Sequence, residues 1–237
     1  MALQAGADRS PDPMDQADAL RQRLLQNEVT QGASPAPLRS CLLSGGASRR
    51  MGQDKALLPH PEGGSWLERT LGLLAALQAP ITLLSRWPEH LALAGQLAEQ
   101  PTAAAAPGSL SAAAFTVLAE PSPWEGPLLA LHRLMEHHPN QQLLLCPVDM
   151  PDLTLSVLQS LLAAAEAAPG AIHLAHDGER LQPLLGLYPS GPAQRDGLAA
   201  AIDQGERRLQ NWLAHQPCHH VTLAASRIRN VNRPEDL

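Results

Sequence analysis

Residues 45–55 read Gly-Gly-Ala-Ser-Arg-Arg-Met-Gly-Gln-Asp-Lys, placing three glycines, two arginines and a lysine directly after an apolar run. Glycine lets a backbone come close to a ligand and adopt dihedrals that other residues avoid. Backbone amides in such a turn cradle phosphate oxygens. Arg50 and Lys55 add positive charge. A phosphate-binding loop is therefore favoured over an ordinary glycine-rich turn carrying solvated cations. Neither common nucleotide fingerprint occurs: GxxxxGK[ST] is absent, and no GxGxxG stands in the right place.

A second candidate is Asp149, just past the apolar run Leu143–Cys146. A carboxylate there is a hard oxygen ligand of the kind Mg2+ prefers, and Mg2+ beside a triphosphate neutralises charge and polarises phosphorus. The same residue could equally cap a turn, with Asp152 and Thr154 starting a helix, and residue type alone leaves these readings open. Other reactive types offer less. His137–His138 and His219–His220 are adjacent pairs, and neighbours on a strand face opposite ways. His173, His176 and Asp177 lack a fourth metal ligand at suitable spacing. All the histidines are read as surface or packing residues. Nothing near Cys146 would activate a thiol.

The elements that must position these residues alternate. Strands are expected at 39–44, 81–85, 115–119, 143–147, 171–175, 184–188 and 220–224. Helices are expected at 65–78, 89–99, 126–137 and 155–168, over most of 193–215, and starting at 233–237. Ser65 and Glu68 have the spacing of a capping box, and Thr154 is a candidate cap. Alternation of this kind predicts an α/β fold of three layers, Rossmann-like, with a mostly parallel central sheet. Active sites in such sheets lie beyond the carboxyl ends of the strands, where both Lys55 and Asp149 fall. Residues 1–37 are polar and proline-bounded and read as a flexible extension, with 14–29 able to form one amphipathic helix. Residues 38–237 are expected to form a single domain. The stretch 101–114, PTAAAAPGSLSAAA, is low in complexity and is expected to be a surface insertion.

Composition narrows the function classes. A net charge of -6 argues against a broad nucleic-acid-binding face. Aromatics make up 3% of the chain, which disfavours base-stacking platforms for single strands. Three distant cysteines indicate neither a zinc ribbon nor a disulfide framework. No basic leader followed by an apolar run opens the sequence, and no run of about 18 apolar residues suggests a membrane span. The expected compartment is the cytoplasm.

The segment LSGGASRRMGQDKALL, residues 43–58, closely resembles the LxGGxSxRMGxDKxLL signature of the molybdenum cofactor guanylyltransferases. Related cytidylyl and sugar-phosphate transferases usually carry AAGxGxRM. The likeness continues in WEGPLLA (124–130), CPVDMPDL (146–153), HDGER (176–180), GERR (205–208) and NVNRPEDL (230–237). It spans residue 39 to the last residue. Departures are the N-terminal extension, the 101–114 insertion, Leu83 where some members carry a nucleotide-contacting Asn, and Glu120, which meets the family Asp only with a one-residue shift.

The resemblance implies GMP transfer from GTP to molybdenum-loaded molybdopterin, with pyrophosphate as co-product and Mg2+ as cofactor. It implies that Leu43, Ser44, Gly45 and Gly46 contact the guanine and ribose end. Arg50 and Lys55 would hold phosphates, and Asp149 would hold the metal as well as GTP. Glu120 would be the nearest match to the family's nucleotide-contacting Asp. Leu83 has no polar group to replace the Asn side chain, and Ser85 could take over that role. Arg207, Asn230 and Asn232 would serve the pterin, although Asn beside Pro also pins turns. Molybdenum insertion proteins and apo-molybdoenzymes would be partners. The alternatives are CMP transfer from CTP to the same pterin, and a non-catalytic cofactor carrier.

Overall fold

Seven strands form one sheet in the order β3-β2-β1-β4-β6-β5-β7. The computed structural model describes residues 36–46, 52–99 and 115–236. Residues 1–35 of the expected extension, Arg50 and the 101–114 insertion lie outside the described residues. The strands are β1 (Leu38–Leu43), β2 (Ile81–Ser85), β3 (Phe115–Ala119), β4 (Gln142–Pro147), β5 (Ile172–His176), β6 (Leu181–Pro189) and β7 (Cys218–Thr222). The helices are α1 (Trp66–Ala75), α2 (Pro88–Glu99), α3 (Pro127–His137), α4 (Leu155–Glu166), α5 (Pro192–Asp203) and α6 (Leu209–Leu213).

Strand residues alternate between two cores, as the pleat requires. Leu42, Leu83, Leu144 and Cys146 join α1, α2 and α4 on one face. Cys41, Leu84, Leu143 and Leu145 join α3, α5 and α6 on the other. The result is the expected three layers. Helix α1 starts where its cap dictates: Glu68 N donates to Ser65 Oγ at 3.2 Å, and Ser65 N donates to Glu68 Oε2 at 2.6 Å. A cap of this kind is worth about 1 kcal/mol.

The sheet is mostly parallel, as expected, with β6 running antiparallel to both β4 and β5. Several other expectations need correction. The helix expected over most of 193–215 is broken in two, because Gly205 adopts φ 93 and turns the chain. Strand β7 begins two residues earlier than expected, since its register is set by pairing Ile172 with Cys218. The C-terminal helix is one 3-10 turn, Pro234–Asp236. Thr154 occupies the N-cap of α4 without a capping bond, its hydroxyl being paired with Ser156 Oγ at 3.0 Å.

Candidate active site

The parallel strands β1, β2, β3 and β4 release their carboxyl ends along one edge. Backbone bonds tie those ends together: Val148 N donates to Leu43 O at 3.2 Å, Ser44 N to Leu84 O at 3.1 Å, and Glu120 N to Ser85 O at 2.8 Å. The segments that follow enclose a cleft of about 350 Å³. Lys55, Asp149, Glu120, Arg86, Ser44 and Gly45 all face it.

Lys55 reaches the cleft from a 3-10 turn, Lys55–Leu57, whose N-cap is Asp54. Its Nζ lies 3.4 Å from Asp149 Oδ2 and donates to Asn232 Oδ1 at 2.8 Å. Burial pushes the Asp149 carboxyl up from its ordinary value, and the Lys55 ammonium opposes that shift. The main chain of Asp149 is held from the C-terminal segment, Val231 N donating to Asp149 O at 2.9 Å.

Glu120 closes another side. Its carboxylate fills the space over Gly45: a Cβ on that glycine would lie 2.6 Å from Glu120 Oε2. The side chain is 10% exposed. Burial raises its carboxyl, with Arg133 and Arg86 pulling the other way. Arg86 lies over the rings of Trp87 and Trp124, 4.9 and 4.4 Å from their centroids. Its Nε finds no acceptor among the described residues. Trp124 in turn donates Nε1–H to Glu120 O at 3.1 Å. Gly126, at φ 92, turns the chain into α3, where Pro127 takes the first helical position.

The remaining residues singled out from sequence divide. The carbonyls of Leu43 and Ser44 already accept hydrogen bonds from Val148 N and Ser85 Oγ. Gly45 and Gly46 line the cleft, and their amides have no backbone hydrogen-bond partner among the described residues. Leu83 is sealed in the core. Ser85 is also buried, its hydroxyl engaged by Ser44 O, His90 and Trp87 N, so it is in no position to replace the missing Asn. Arg207 does not line the cleft. Its guanidinium donates to the carbonyls of Ile202 and Glu206 and pairs with Glu125 at 3.5 Å. Asn230 donates to Gln182 Oε1 at 2.7 Å. Asn232 accepts from Lys55 Nζ at 2.8 Å. His90, which the sequence does not single out, has a buried ring that contacts both Asp54 and Ser44. A lone His in a helix carried no signal for this.

Such a cleft places glycine backbone, a lysine and a half-buried carboxylate side by side, which suits a polyphosphate and a cation. The family model for the MobA-like NTP transferase domain matches residues 40–221. A protein of Rhodopirellula baltica described as a probable molybdenum cofactor guanylyltransferase is 36% identical over 90% of this chain and 97% of its own length. The crystal structure of molybdopterin-guanine dinucleotide biosynthesis protein A from Archaeoglobus fulgidus superposes with a TM-score of 0.60, at 21% identity, covering 84% of this chain and 94% of that one. A Mycobacterium tuberculosis protein crystallised with manganese has a TM-score of 0.50, at 16% identity, covering 86% and 96% respectively.

Proposed function

Since the chain belongs to the MobA-like NTP transferase family and is a nucleotidyltransferase, we propose that it transfers GMP from GTP to molybdenum-loaded molybdopterin. The observation that carries this reading is the meeting of Lys55 with Asp149 in the cleft, in a chain 36% identical to a relative named as a guanylyltransferase.

The amides of Gly45 and Gly46 donate to the nucleotide, while Leu43 and Ser44 shape the wall under its base and ribose. Glu120 accepts hydrogen bonds from the N1–H and exocyclic amine of guanine. Arg50 and Lys55 hold the phosphates. The residues fit a divalent ion: Asp149 offers an oxygen ligand whose burial leaves its negative charge short of solvent. No cluster of three or more His, Cys, Asp or Glu suited to a metal occurs among the described residues. That agrees with Mg2+, which takes one or two carboxylates and completes its shell with phosphates and water. When bound, Mg2+ offsets triphosphate charge and polarises the phosphorus under attack.

The terminal phosphate oxygen of the pterin forms a bond to the α-phosphorus of GTP. The bond from that phosphorus to the α,β-bridging oxygen breaks, and pyrophosphate leaves with the electron pair. The attacking phosphate is already ionised near neutral pH, so no strong base is needed. The protein contributes position and charge.

Residues 38–237 act as one domain, with the nucleotide on the N-terminal half and the pterin on the C-terminal half. Asn232 stands where the two meet. Arg207 and Asn230 would exchange their present partners to reach the pterin. No helix among the described residues is long and apolar enough to cross a membrane. Free Cys41, Cys146 and Cys218 suit a reducing, cytoplasmic setting.

The test is pyrophosphate release with molybdenum-loaded molybdopterin, Mg2+ and either GTP or CTP. Release with GTP alone is expected. Release with CTP alone would make the enzyme a cytidylyltransferase, and release with neither would point to a cofactor carrier.

A further inference from the structure

His90 lies in the first turn of α2 with its side chain fully buried. Its Nε2 is 2.6 Å from Asp54 Oδ2. Its Nδ1 is 3.0 Å from the Ser44 carbonyl, 3.1 Å from the Ser44 hydroxyl and 3.0 Å from the Ser85 hydroxyl. Carboxylates and carbonyls only accept hydrogen bonds, so each ring nitrogen has an acceptor to donate to. Ser44 follows β1, Ser85 ends β2, and Asp54 begins the turn that carries Lys55. The other Asp54 oxygen, Oδ1, accepts from Ala56 N at 3.0 Å and so caps that turn. One imidazole thus links two strand ends to the start of the Lys55 turn. The cluster also reaches Gly46, whose carbonyl accepts from Trp87 Nε1 at 3.0 Å.

An apolar side chain would fill this place between α2 and β2 without the desolvation cost of burying polar groups. Buried polar pairs of this type are weak stabilisers compared with apolar packing. The network is better explained by the geometry it enforces.

We propose that His90 is a positioning residue for nucleotidyl transfer. It holds Asp54, and through Asp54 the turn Lys55–Leu57, so that Lys55 meets the nucleotide phosphates. This rests on the proposed nucleotide site but not on the choice of base.

The test compares His90→Leu, His90→Gln, Asp54→Ala and the double variant Asp54→Ala/His90→Leu. Turnover, KM for each substrate, thermal midpoint and the Kd of Mg·GTP by calorimetry are measured for each. His90→Leu and Asp54→Ala should each lower kcat/KM for GTP and weaken Mg·GTP binding by about tenfold or more, the scale expected when a phosphate ligand is misplaced. The KM for the pterin should hold. His90→Gln, which keeps an N–H donor, should recover most of the loss. The double variant should be no worse than the worse single one, because the two residues act through one another. Values for His90→Leu within about twofold of wild type, or additive losses in the double variant, would overturn the proposal. If His90→Leu fails to fold, Asp54→Ala decides alone, by the same criterion. If wild-type protein transfers no nucleotide, the reaction assignment fails but Mg·GTP binding still decides: a tenfold weaker Kd supports positioning, and an unchanged Kd overturns it.

Discussion

Lys55 and Asp149 approach to 3.4 Å across 94 residues of sequence. One follows the first strand and the other the fourth, and β1 and β4 are parallel neighbours, pairing Leu43 with Pro147. The sheet thus brings an ammonium and a carboxylate to the same edge. Asn232 joins them from the far end of the chain, accepting from Lys55 at 2.8 Å.

The first prediction concerns this pair. Asp149→Asn removes the anion while keeping its shape, and should lower kcat by about 100-fold or more, in the range for losing a major electrostatic contact. Because burial disfavours the Asp149 carboxylate, the folded apo-protein should lose little thermal stability. Mg2+ with GTP should raise the thermal midpoint of wild type but not of the variant. Lys55→Met should raise the KM for GTP more than that for the pterin. Steady-state kinetics and thermal melts read both.

Gly45 and Glu120 supply the second. The Cβ of Gly45→Ala would lie 2.6 Å from Glu120 Oε2 and must push that carboxylate aside. The KM for GTP should rise by about tenfold, near the cost of one hydrogen bond to a charged group. In a Glu120→Ala background the same substitution should do little, since there is nothing left to displace. Inosine triphosphate, which lacks the exocyclic amine, should separate wild type from Glu120→Ala less than GTP does.

His138 gives a pH dependence distant from catalysis. Burial first, then the charges of Arg39 and His137, push its imidazole down to about 4. Its Nε2 pairs with Thr82 Oγ1 at 2.9 Å. Because the folded value lies below the unfolded one, the unfolded chain takes up the proton first. Stability from this residue is complete above about pH 6.5, falls as the pH drops towards 4 and then levels off, a loss of roughly 3 kcal/mol at most. Urea midpoints between pH 7 and 4 should fall more steeply for wild type than for His138→Gln.

Thiol reactivity is the fourth. Cys41 is sealed in the core and burial pushes its thiol up to about 12. Cys146 is equally buried and shifted in the same direction. Only thiolates react readily. A disulfide reagent should therefore modify half-buried Cys218 first in native protein, and all three cysteines after denaturation. Rapid native labelling of Cys41 would contradict the packing of β1.

Much of this architecture is legible in the sequence, because short apolar runs and longer amphipathic stretches alternate cleanly. Strands Ile81–Ser85 and Phe115–Ala119 fall where the pattern places them, and the Ser65–Glu68 cap is present in full. The direction of β6 is not legible, since a run buried on both faces looks the same whichever way it runs. The break at Gly205 is hidden because its neighbours keep a helical composition. The site divides in the same way. Gly45, Lys55 and Asp149 stand out through local motifs. Asn232 on Lys55, 177 residues away, and His90 on Asp54 depend on tertiary contact, which one unaligned sequence does not display. Glu120, one position out of step with the family pattern, is brought over Gly45 by the end of β3.

The most direct measurement of the central claim follows a label. With molybdenum-loaded molybdopterin and Mg2+, GTP labelled at the α-phosphorus should give labelled pterin dinucleotide and unlabelled pyrophosphate. GTP labelled at the γ-phosphorus should give the reverse, and Asp149→Asn should suppress both. Label from the γ-position on the pterin, or none from the α-position with active wild-type protein and intact pterin, would contradict guanylyl transfer at this cleft.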